Sequence, residues 1–483
     1  MTDADERPWK IACLASLVFA VALCAAPLHG HSDEVDPHTY AVLARHMAES
    51  GRWLDPSYLP SIFYRYREHL PFGLWPSALA VRLFGERALA PLALMFSLGT
   101  LTIMITAGAR LFGRTAALLG VLVLTTTDAF FQSAGRMRLD NLLLLLATAS
   151  TLPLWRPDRI APAQWAISAA LSSLAVLVKG PFGLLPLVAS TLARAVTLRR
   201  AREILVGGLA AIAALVPVIV FLAHDALLGD GSWWRGYVLH QIYASARGLR
   251  SDGDPGLVPL TSLVGRFWPG LPLSVWGIAL GLRDLRHRRA TAVAIAAAYS
   301  SIVFTLLWLP ARKLPHHGFV MYPALALLAG AAVAPVLTRR IASSSRRSAA
   351  VAALVGLAAA TTVVSALGAG TFLTRRSCVI PPQLGSALPP GADVLVVAPG
   401  EDWTAIAALA AHYRANAWPA RSLEGDVPFE VSAAGSRPVN SGRRARFALV
   451  RTDAPAGPHA GWRQGAEDGK WTLWTRDSAP NNQ

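Results

Sequence analysis

The chain has 483 residues, of which 53% are hydrophobic and only 15% are charged. A water-soluble protein of this length carries more charge on its surface, so the composition excludes that class and predicts a multi-pass membrane protein. The formal net charge of +16 does not indicate nucleic-acid binding, because the arginines stand in short clusters between apolar segments and form no basic face.

Apolar segments long enough to cross a bilayer as helices recur along most of the chain. About eleven candidate spans can be delimited by hydropathy. They cover residues 11–28, 88–109, 115–132, 139–154, 163–178, 181–198, 204–223, 258–281, 290–309, 319–338 and 348–371. The first has a second interpretation, a cleaved signal peptide, because basic residues precede a short apolar core. The predicted fold class is an all-α polytopic membrane domain over residues 1–374.

Arginine clusters follow alternate spans, which is the pattern of cytoplasmic loops. The clusters are Arg110 with Arg114, Arg156 with Arg159, Arg199 with Arg200 and Arg202, and the arginines of residues 283–289 and 339–347. If these clusters lie on the cytoplasmic side of a bacterial inner membrane, the N-terminus is in the cytoplasm and the C-terminus is in the periplasm. The apolar segment 71–84 then cannot cross, so we expect a re-entrant or interfacial helix within the outer loop 29–87.

The composition becomes typical of a soluble protein from Arg375 onward. Residues 394–398, 447–450 and 471–474 have the pattern of strands, and residues 404–413 that of a helix. We therefore expect a small α/β extracytoplasmic domain over residues 375–483.

Polar residues of the outer loops form five clusters that this topology places on one membrane face. The candidate residues are Asp36, Tyr40, Tyr66, Glu68 and His69 in the first loop, Arg136 and Asp140, Lys179, His240 and Arg247, and finally Lys313, His316 and His317. Such groups suit a polar ligand whose tail stays in lipid. Plainer interpretations stay open: a solvated loop with an aromatic belt, an Arg–Asp pair at a helix start, a snorkelling Lys179, and a disordered connector at 224–257.

At these residues the chain resembles the GT-C glycosyltransferases that use lipid-linked sugars, a group that includes aminoarabinose transferases acting on lipid A and protein O-mannosyltransferases. The family pattern Y-F-E-K-P-P-L-x-x-W is similar to residues 66–75, and its first acidic motif to residues 36–56. Its A-R-x-x-x-x-D, K-G-P and K-x-P-H-Y elements look like residues 136–140, 179–181 and 313–328. The resemblance covers roughly residues 30–335. Pro37, His69 and Leu70 depart from the pattern, and His69 replaces a donor-phosphate lysine.

The resemblance implies inverting transfer of a sugar from a polyprenyl-phosphate donor to lipid A, protein or another envelope acceptor. Asp36 would be the base or would orient the acceptor, and Asp140 would orient the acceptor or pair with Arg136. The phosphate and substrate would contact Tyr40, Tyr66, His69, Arg136, Lys179, Arg247, Lys313 and His317. The resemblance also suggests a divalent metal near Glu68, with His316 and His240 as zinc ligands.

Two other functions stay open at the level of sequence. A transporter or lipid flippase also carries ionisable groups within the membrane, but it places them at mid-span, whereas here they lie at one face. A non-catalytic protein that binds lipid-linked sugars is compatible with the changes at Pro37 and His69. Membrane lipids are partners in every case.

Overall fold

The computed structural model describes residues 18, 35–58, 65–249, 256–267, 270–283, 288–311, 313–340, 380, 382–397, 403–420, 445–451, 462–468 and 471–476. The predicted span 348–371 lies outside these residues, as does all of 11–28 except residue 18, together with the signal-peptide alternative for that span. The described chain forms two compact units. A helical unit contains residues 68–73 and 90–340, and a mixed unit contains residues 35–58, 65–67, 74–89 and those from 380 onward.

In chain order, the α-helices α1 to α16 are Val35–Ser50, Trp75–Phe84, Leu89–Phe112, Arg114–Thr125, Asp128–Ala134, Leu139–Thr151, Pro162–Lys179, Pro181–Leu198, Ala201–Leu227, Ala244–Arg247, Val258–Arg266, Gly270–Arg283, Arg288–Leu306, Tyr322–Arg340, Pro382–Ser386 and Trp403–Tyr413. A π-helix, Trp234–Tyr243, continues directly into α10. The two are called the π-helical segment below. Short 3-10 helices cover Pro71–Leu74, Glu86–Ala88, Leu152–Trp155 and Pro315–Met321.

Four helices of the described chain are long and apolar enough to cross a membrane: Glu86–Phe112, Pro181–Leu198, Ala201–Leu227 and His316–Pro335. Shorter apolar helices cover Arg114–Thr125, Leu139–Trp155, Gly270–Leu280 and Ala290–Leu306. On α9, large apolar side chains such as Leu205, Leu209 and Ile212 are exposed, as expected of a surface that meets lipid. The chain is thus a multi-pass membrane protein, as composition predicts.

Two predicted spans are shorter in the structure than in the hydropathy pattern. The segment 115–132 ends as a helix at Thr125, and α5 follows as a separate helix. The segment 258–281 divides into α11 and α12. Pro269, which stands between them, has no backbone N–H to donate and disfavours helical geometry in the residue before it.

The mixed unit contains a five-stranded sheet in the order β2-β1-β3-β5-β4. Its strands β1 to β5 are Asp393–Val397, Asn416–Ala420, Phe447–Arg451, Trp462–Asp468 and Trp471–Arg476. β1 pairs in parallel with β2 and β3, whereas β5 pairs antiparallel with β3 and β4. The predicted small C-terminal α/β domain is therefore confirmed, with α16 between β1 and β2 in sequence.

Candidate active site

A buried charge cluster lies where α6 begins and α7 ends. Lys179 Nζ donates to Asp140 Oδ1 at 2.6 Å, and Arg138 Nε lies 3.5 Å from Asp140 Oδ2. Each of these three residues is less than a tenth exposed. His316 is close enough to interact electrostatically with all three. Two cations therefore hold the Asp140 carboxylate in a buried position.

The tight turn between α7 and α8 fixes the position of Lys179. Gly180 has φ +60°, a conformation that favours glycine, and its N–H donates to Val176 O at 2.7 Å. A Cβ on Gly183 would lie 2.2 Å from the Ala175 carbonyl carbon, so α7 and α8 touch backbone to backbone. Pro181 starts α8 with φ already near its helical value. Lys179 is therefore held at the end of α7, where the chain geometry depends on Gly180, Pro181 and Gly183.

The segment 68–73 lies against the same helix ends. A Cβ on Gly73 would meet Val178 O at 3.0 Å and the Leu139 side chain at 3.4 Å. These contacts involve the immediate neighbours of Lys179 and Asp140. Glu68 and His69 are partly buried and precede Leu70, which is fully buried. The structure therefore places the predicted Glu68–His69 pair in a segment packed beside the charge cluster.

The π-helical segment covers the turn at Lys179. Asp225 Oδ2 accepts hydrogen bonds from Trp233 N at 2.9 Å and from Trp234 N at 3.1 Å, which fixes the start of this segment. The buried Tyr237 hydroxyl lies where a Cβ of Gly180 would be, only 2.0 Å away. Burial raises the pKa of the Tyr237 hydroxyl, so it stays protonated at neutral pH.

An apolar cluster packs these pieces together: Leu70, Val176, Val218, Trp233 and Tyr237. These residues come from the segment 68–73, from α7 and α9, and from the π-helical segment with Trp233, the residue before it. The predicted connector 224–257 is thus an ordered, packed helix over residues 234–247. π-Helical turns are rare and occur often at functional sites.

Lys313 and His317 line one pocket with Pro259, Ser262, Leu263, Leu307, Leu314, Gly318, Met321 and Tyr322. Lys313 is buried, and its Nζ lies 6.0 Å from the centre of the Trp308 ring. The His317 ring lies 4.2 Å from the Phe182 ring, next to the Gly180 turn, and 5.0 Å from the His316 ring. Lys313 and His317 thus share one small, mostly apolar lining, into which Lys313 brings a buried positive charge.

Arg247 and His240 also belong to the π-helical segment but, unlike Tyr237, they are not fully buried. Arg247 is exposed and lies 5.7 Å above the Tyr243 ring. Ala311 N donates to Ala246 O at 3.1 Å, so the chain approaching Lys313 is tied to the end of this segment. His240 is partly buried. Arg136, also partly buried, precedes the cluster, and its carbonyl accepts from Asn141 Nδ2 at 3.0 Å.

Asp36, Tyr40 and Tyr66 belong to the mixed unit. Asp36 is partly exposed in the first turn of α1, and Tyr40 is 2% exposed on the same helix. Tyr66 is 4% exposed, and its N–H donates to Pro56 O at 2.8 Å. Arg67 donates to the Tyr66 carbonyl and is paired with Asp55.

The predicted zinc ligands do not come together as a set. Among the residues that the structure describes, no group of three or more His, Cys, Asp or Glu is arranged to hold a metal ion. Glu68, His240 and His316 therefore do not form the expected site. His316 lies instead between the charge cluster and His317. The donor set does not fit zinc, which needs three or four ligands.

Sequence reasoning missed several residues that shape this site. It paired Asp140 with Arg136, whereas the structure pairs it with Lys179 and Arg138. Tyr237 and Asp225 were not singled out, and because Asp225 lies inside α9, eight residues before Trp233, no helix-start pattern marks it in the sequence. Phe182 is an ordinary apolar residue in sequence, and no local signal distinguishes it.

No protein-family model and no curated protein sequence matches this chain. Solved structures do match. ArnT from Cupriavidus metallidurans bound to undecaprenyl phosphate has a TM-score of 0.66 and 19% identity over 96% of this chain and 97% of that chain. The Archaeoglobus fulgidus oligosaccharyltransferase in the apo form has a TM-score of 0.54 and 13% identity over 91% of this chain and 70% of that chain.

A mycobacterial arabinofuranosyltransferase, AftD, has a TM-score of 0.52 and 14% identity, and the match covers 98% of this chain but 40% of that chain. All three neighbours are GT-C glycosyltransferases. The chain therefore has the GT-C fold, and the fold implied by the sequence resemblance is confirmed.

Proposed function

We propose that this chain is a membrane glycosyltransferase that takes its sugar from a polyprenyl-phosphate donor. The observation that carries the proposal is the likeness, over nearly the full length of both chains, to ArnT solved with undecaprenyl phosphate. The archaeal oligosaccharyltransferase AglB, solved with a dolichol-phosphate, supports the same donor class. The acceptor is lipid A, a protein or another envelope polymer.

The proposed reaction is a direct displacement at the anomeric carbon. An acceptor oxygen bonds to this carbon, the bond from the carbon to the phosphate oxygen breaks, and polyprenyl phosphate leaves with the electron pair. Attack from the face opposite to the leaving group inverts the configuration. We assign the acceptor proton to the Asp36 carboxylate, because Asp36 is partly exposed in the first turn of α1.

Cations and hydrogen-bond donors would stabilise the phosphate as it leaves. We assign this role to Lys313 and His317, which line one pocket, and to Arg138 and Lys179, the two cations of the buried cluster. The further candidates are Arg136, Arg247 and His69, with Tyr40 and Tyr66 as hydrogen-bonding walls.

The proposed location is the bacterial inner membrane, with the N-terminus in the cytoplasm and the C-terminus in the periplasm. The support is the sorting of arginines between alternate connections. This orientation places Asp140, Lys179 and Lys313 on the periplasmic side, where envelope acceptors are found.

The test combines a deletion strain with the purified enzyme. Mass spectrometry of lipid A and envelope glycans should show one class of molecule that lacks a sugar in the deletion strain and regains it with the wild-type gene. Purified protein should transfer sugar from an undecaprenyl-phosphate-linked donor and release undecaprenyl phosphate. Donor binding without turnover would instead identify a non-catalytic binding protein, and donor translocation without transfer would identify a flippase.

A further inference from the structure

Helix α1 lies along helix α16 of the C-terminal domain, and its contacts are distributed along its whole length. The His38 ring meets the His412 ring edge to face, with 4.9 Å between centres. Further along, Arg45 reaches the end of α16. At the last turn of α1, Glu49 lies 3.6 Å from Arg414. These contacts join residues that are more than three hundred positions apart in sequence.

Arg45 makes the strongest of these contacts. It is 5% exposed, and its guanidinium donates to Ala410 O at 2.8 Å and to Ala411 O at 3.1 Å. Both carbonyls belong to the last turn of α16, where carbonyl groups lack partners within the helix and carry the negative end of the helix dipole. Glu86, which lies 3.5 Å from Arg45, supplies a carboxylate. A buried guanidinium needs these acceptors, so α1 is stable in this position only when α16 is folded beside it.

We propose that the C-terminal domain is a clamp that positions Asp36, and that Arg45 is its principal positioning residue. The role of Asp36 rests on the proposed function, whereas the clamp rests on geometry alone. Asp36 and Arg45 belong to one uninterrupted helix and are about 13 Å apart along its axis, so they move together. The His38–His412 contact fixes the end of α1 that carries Asp36. The clamp is thus a role for the C-terminal domain, which contains none of the candidate site residues.

The experiment compares full-length Arg45→Met with the wild type. Methionine keeps an unbranched apolar stem and removes the guanidinium. Hydrogen–deuterium exchange of residues 35–50 should become at least about 10-fold faster, because charge-assisted hydrogen bonds no longer hold α1. The kcat for transfer from an undecaprenyl-phosphate-linked sugar should fall by about 10-fold, with a nearly unchanged KM for the donor. Arg45→Lys, which keeps a charge able to reach one carbonyl, should recover part of both.

Arg463→Met is the matched control, because Arg463 is an exposed arginine of the same domain on the edge strand β4. It should change neither the exchange of residues 35–50 nor kcat. If Arg45→Met fails to fold, His412→Ala removes a smaller contact and should accelerate exchange mainly in the first turn of α1, again with a lower kcat.

Unchanged exchange of α1 in both variants would overturn the clamp. Faster exchange with an unchanged kcat would overturn the positioning role. A wild-type protein that transfers no sugar would instead refute the proposed function, and the exchange measurement would still decide whether the clamp exists.

Discussion

Asp140 is buried and pairs with Lys179 and Arg138, so its loss should reduce stability as well as activity. Asp140→Asn leaves Lys179 and Arg138 without their carboxylate, and we expect the free energy of unfolding to fall by about 3–5 kcal/mol. Thermal unfolding in detergent measures this. The control is Glu49→Gln, which breaks a half-exposed pair with Arg414 and should cost less than about 1 kcal/mol. Equal melting temperatures for the two variants would contradict the prediction.

Replacing Asp36 should strongly reduce activity and change stability little. Asp36→Asn keeps the shape of the side chain and removes its basicity, so transfer should fall by about 100-fold or more. Because Asp36 is partly exposed, the melting temperature should change little. Initial rates with an undecaprenyl-phosphate-linked sugar, measured alongside donor binding, test both statements. Near-normal turnover would move the base role to Asp33 or Glu34.

Single residues were easier to predict from the sequence than their partners. Asp140 and Lys179 stood out because ionisable groups at the ends of apolar spans are costly unless they are paired or functional. Their mutual hydrogen bond was not predictable, because it joins residues 39 positions apart, at the start of α6 and the end of α7. Tyr237 is one of several aromatic residues in its loop, and only the fold shows that it packs on the turn at Gly180.

At the scale of elements, the close packing of α9 on α8 can be tested with two adjacent glycines. A Cβ on Gly207 would lie 2.2 Å from Thr191 Cγ2, whereas a Cβ on Gly208 would meet nothing within 4 Å. Gly207→Ala should therefore lower stability by about 1–3 kcal/mol through overpacking. Gly208→Ala should be neutral or raise stability by up to about 1 kcal/mol, because alanine favours helices. Melting temperatures in detergent compare them, and a reversed order would refute this packing.

Helices were predicted best where an apolar run coincides with one helix. The segments 163–178, 181–198 and 204–223 correspond to α7, α8 and α9 with small shifts at their ends. Hydropathy does not register a break inside an apolar run, which is why α11 and α12 were taken as one span. The π-helical segment was missed for another reason: the Gly- and Asp-rich sequence of residues 248–256 after it indicates a mobile loop, and no pattern shows the packing of Trp233 and Tyr237.

In the C-terminal domain, central strands were predicted and edge strands were not. β1, β3 and β5 are largely buried; β1 and β3 have continuous apolar runs, and β5 carries two tryptophans and a leucine. β4 lies at one edge of the sheet and is exposed over most of its length, and β2, at the other edge, contains Pro419. Polar residues and proline are typical of edge strands, and they weaken the pattern on which prediction depends.

At the scale of the whole molecule, the helical unit separates its arginine-rich connections from the charge cluster. Since α6 begins beside Asp140 and α7 ends at Lys179, the other ends of these helices meet at residues 156–161. There the fully buried Arg194 donates to Leu154 O and Arg156 O and pairs with Glu203 at 3.0 Å. This holds the connection before α7 to the start of α9. The exposed Arg159, Arg199 and Arg200 are therefore at the end opposite to the candidate site.

This separation yields a prediction for the orientation of the protein. If arginine-rich connections stay in the cytoplasm, a cysteine at Ala161 should be hidden from a membrane-impermeant maleimide in cells with a permeable outer membrane. A cysteine at Asp230, in the exposed connection after α9, should be labelled in the same cells. Neither change alters an arginine, and Cys13, Cys24 and Cys378 are first replaced by serine. Both cysteines should react once the inner membrane is opened. Labelling of Ala161→Cys but not Asp230→Cys in intact cells would place the charge cluster in the cytoplasm and exclude periplasmic transfer.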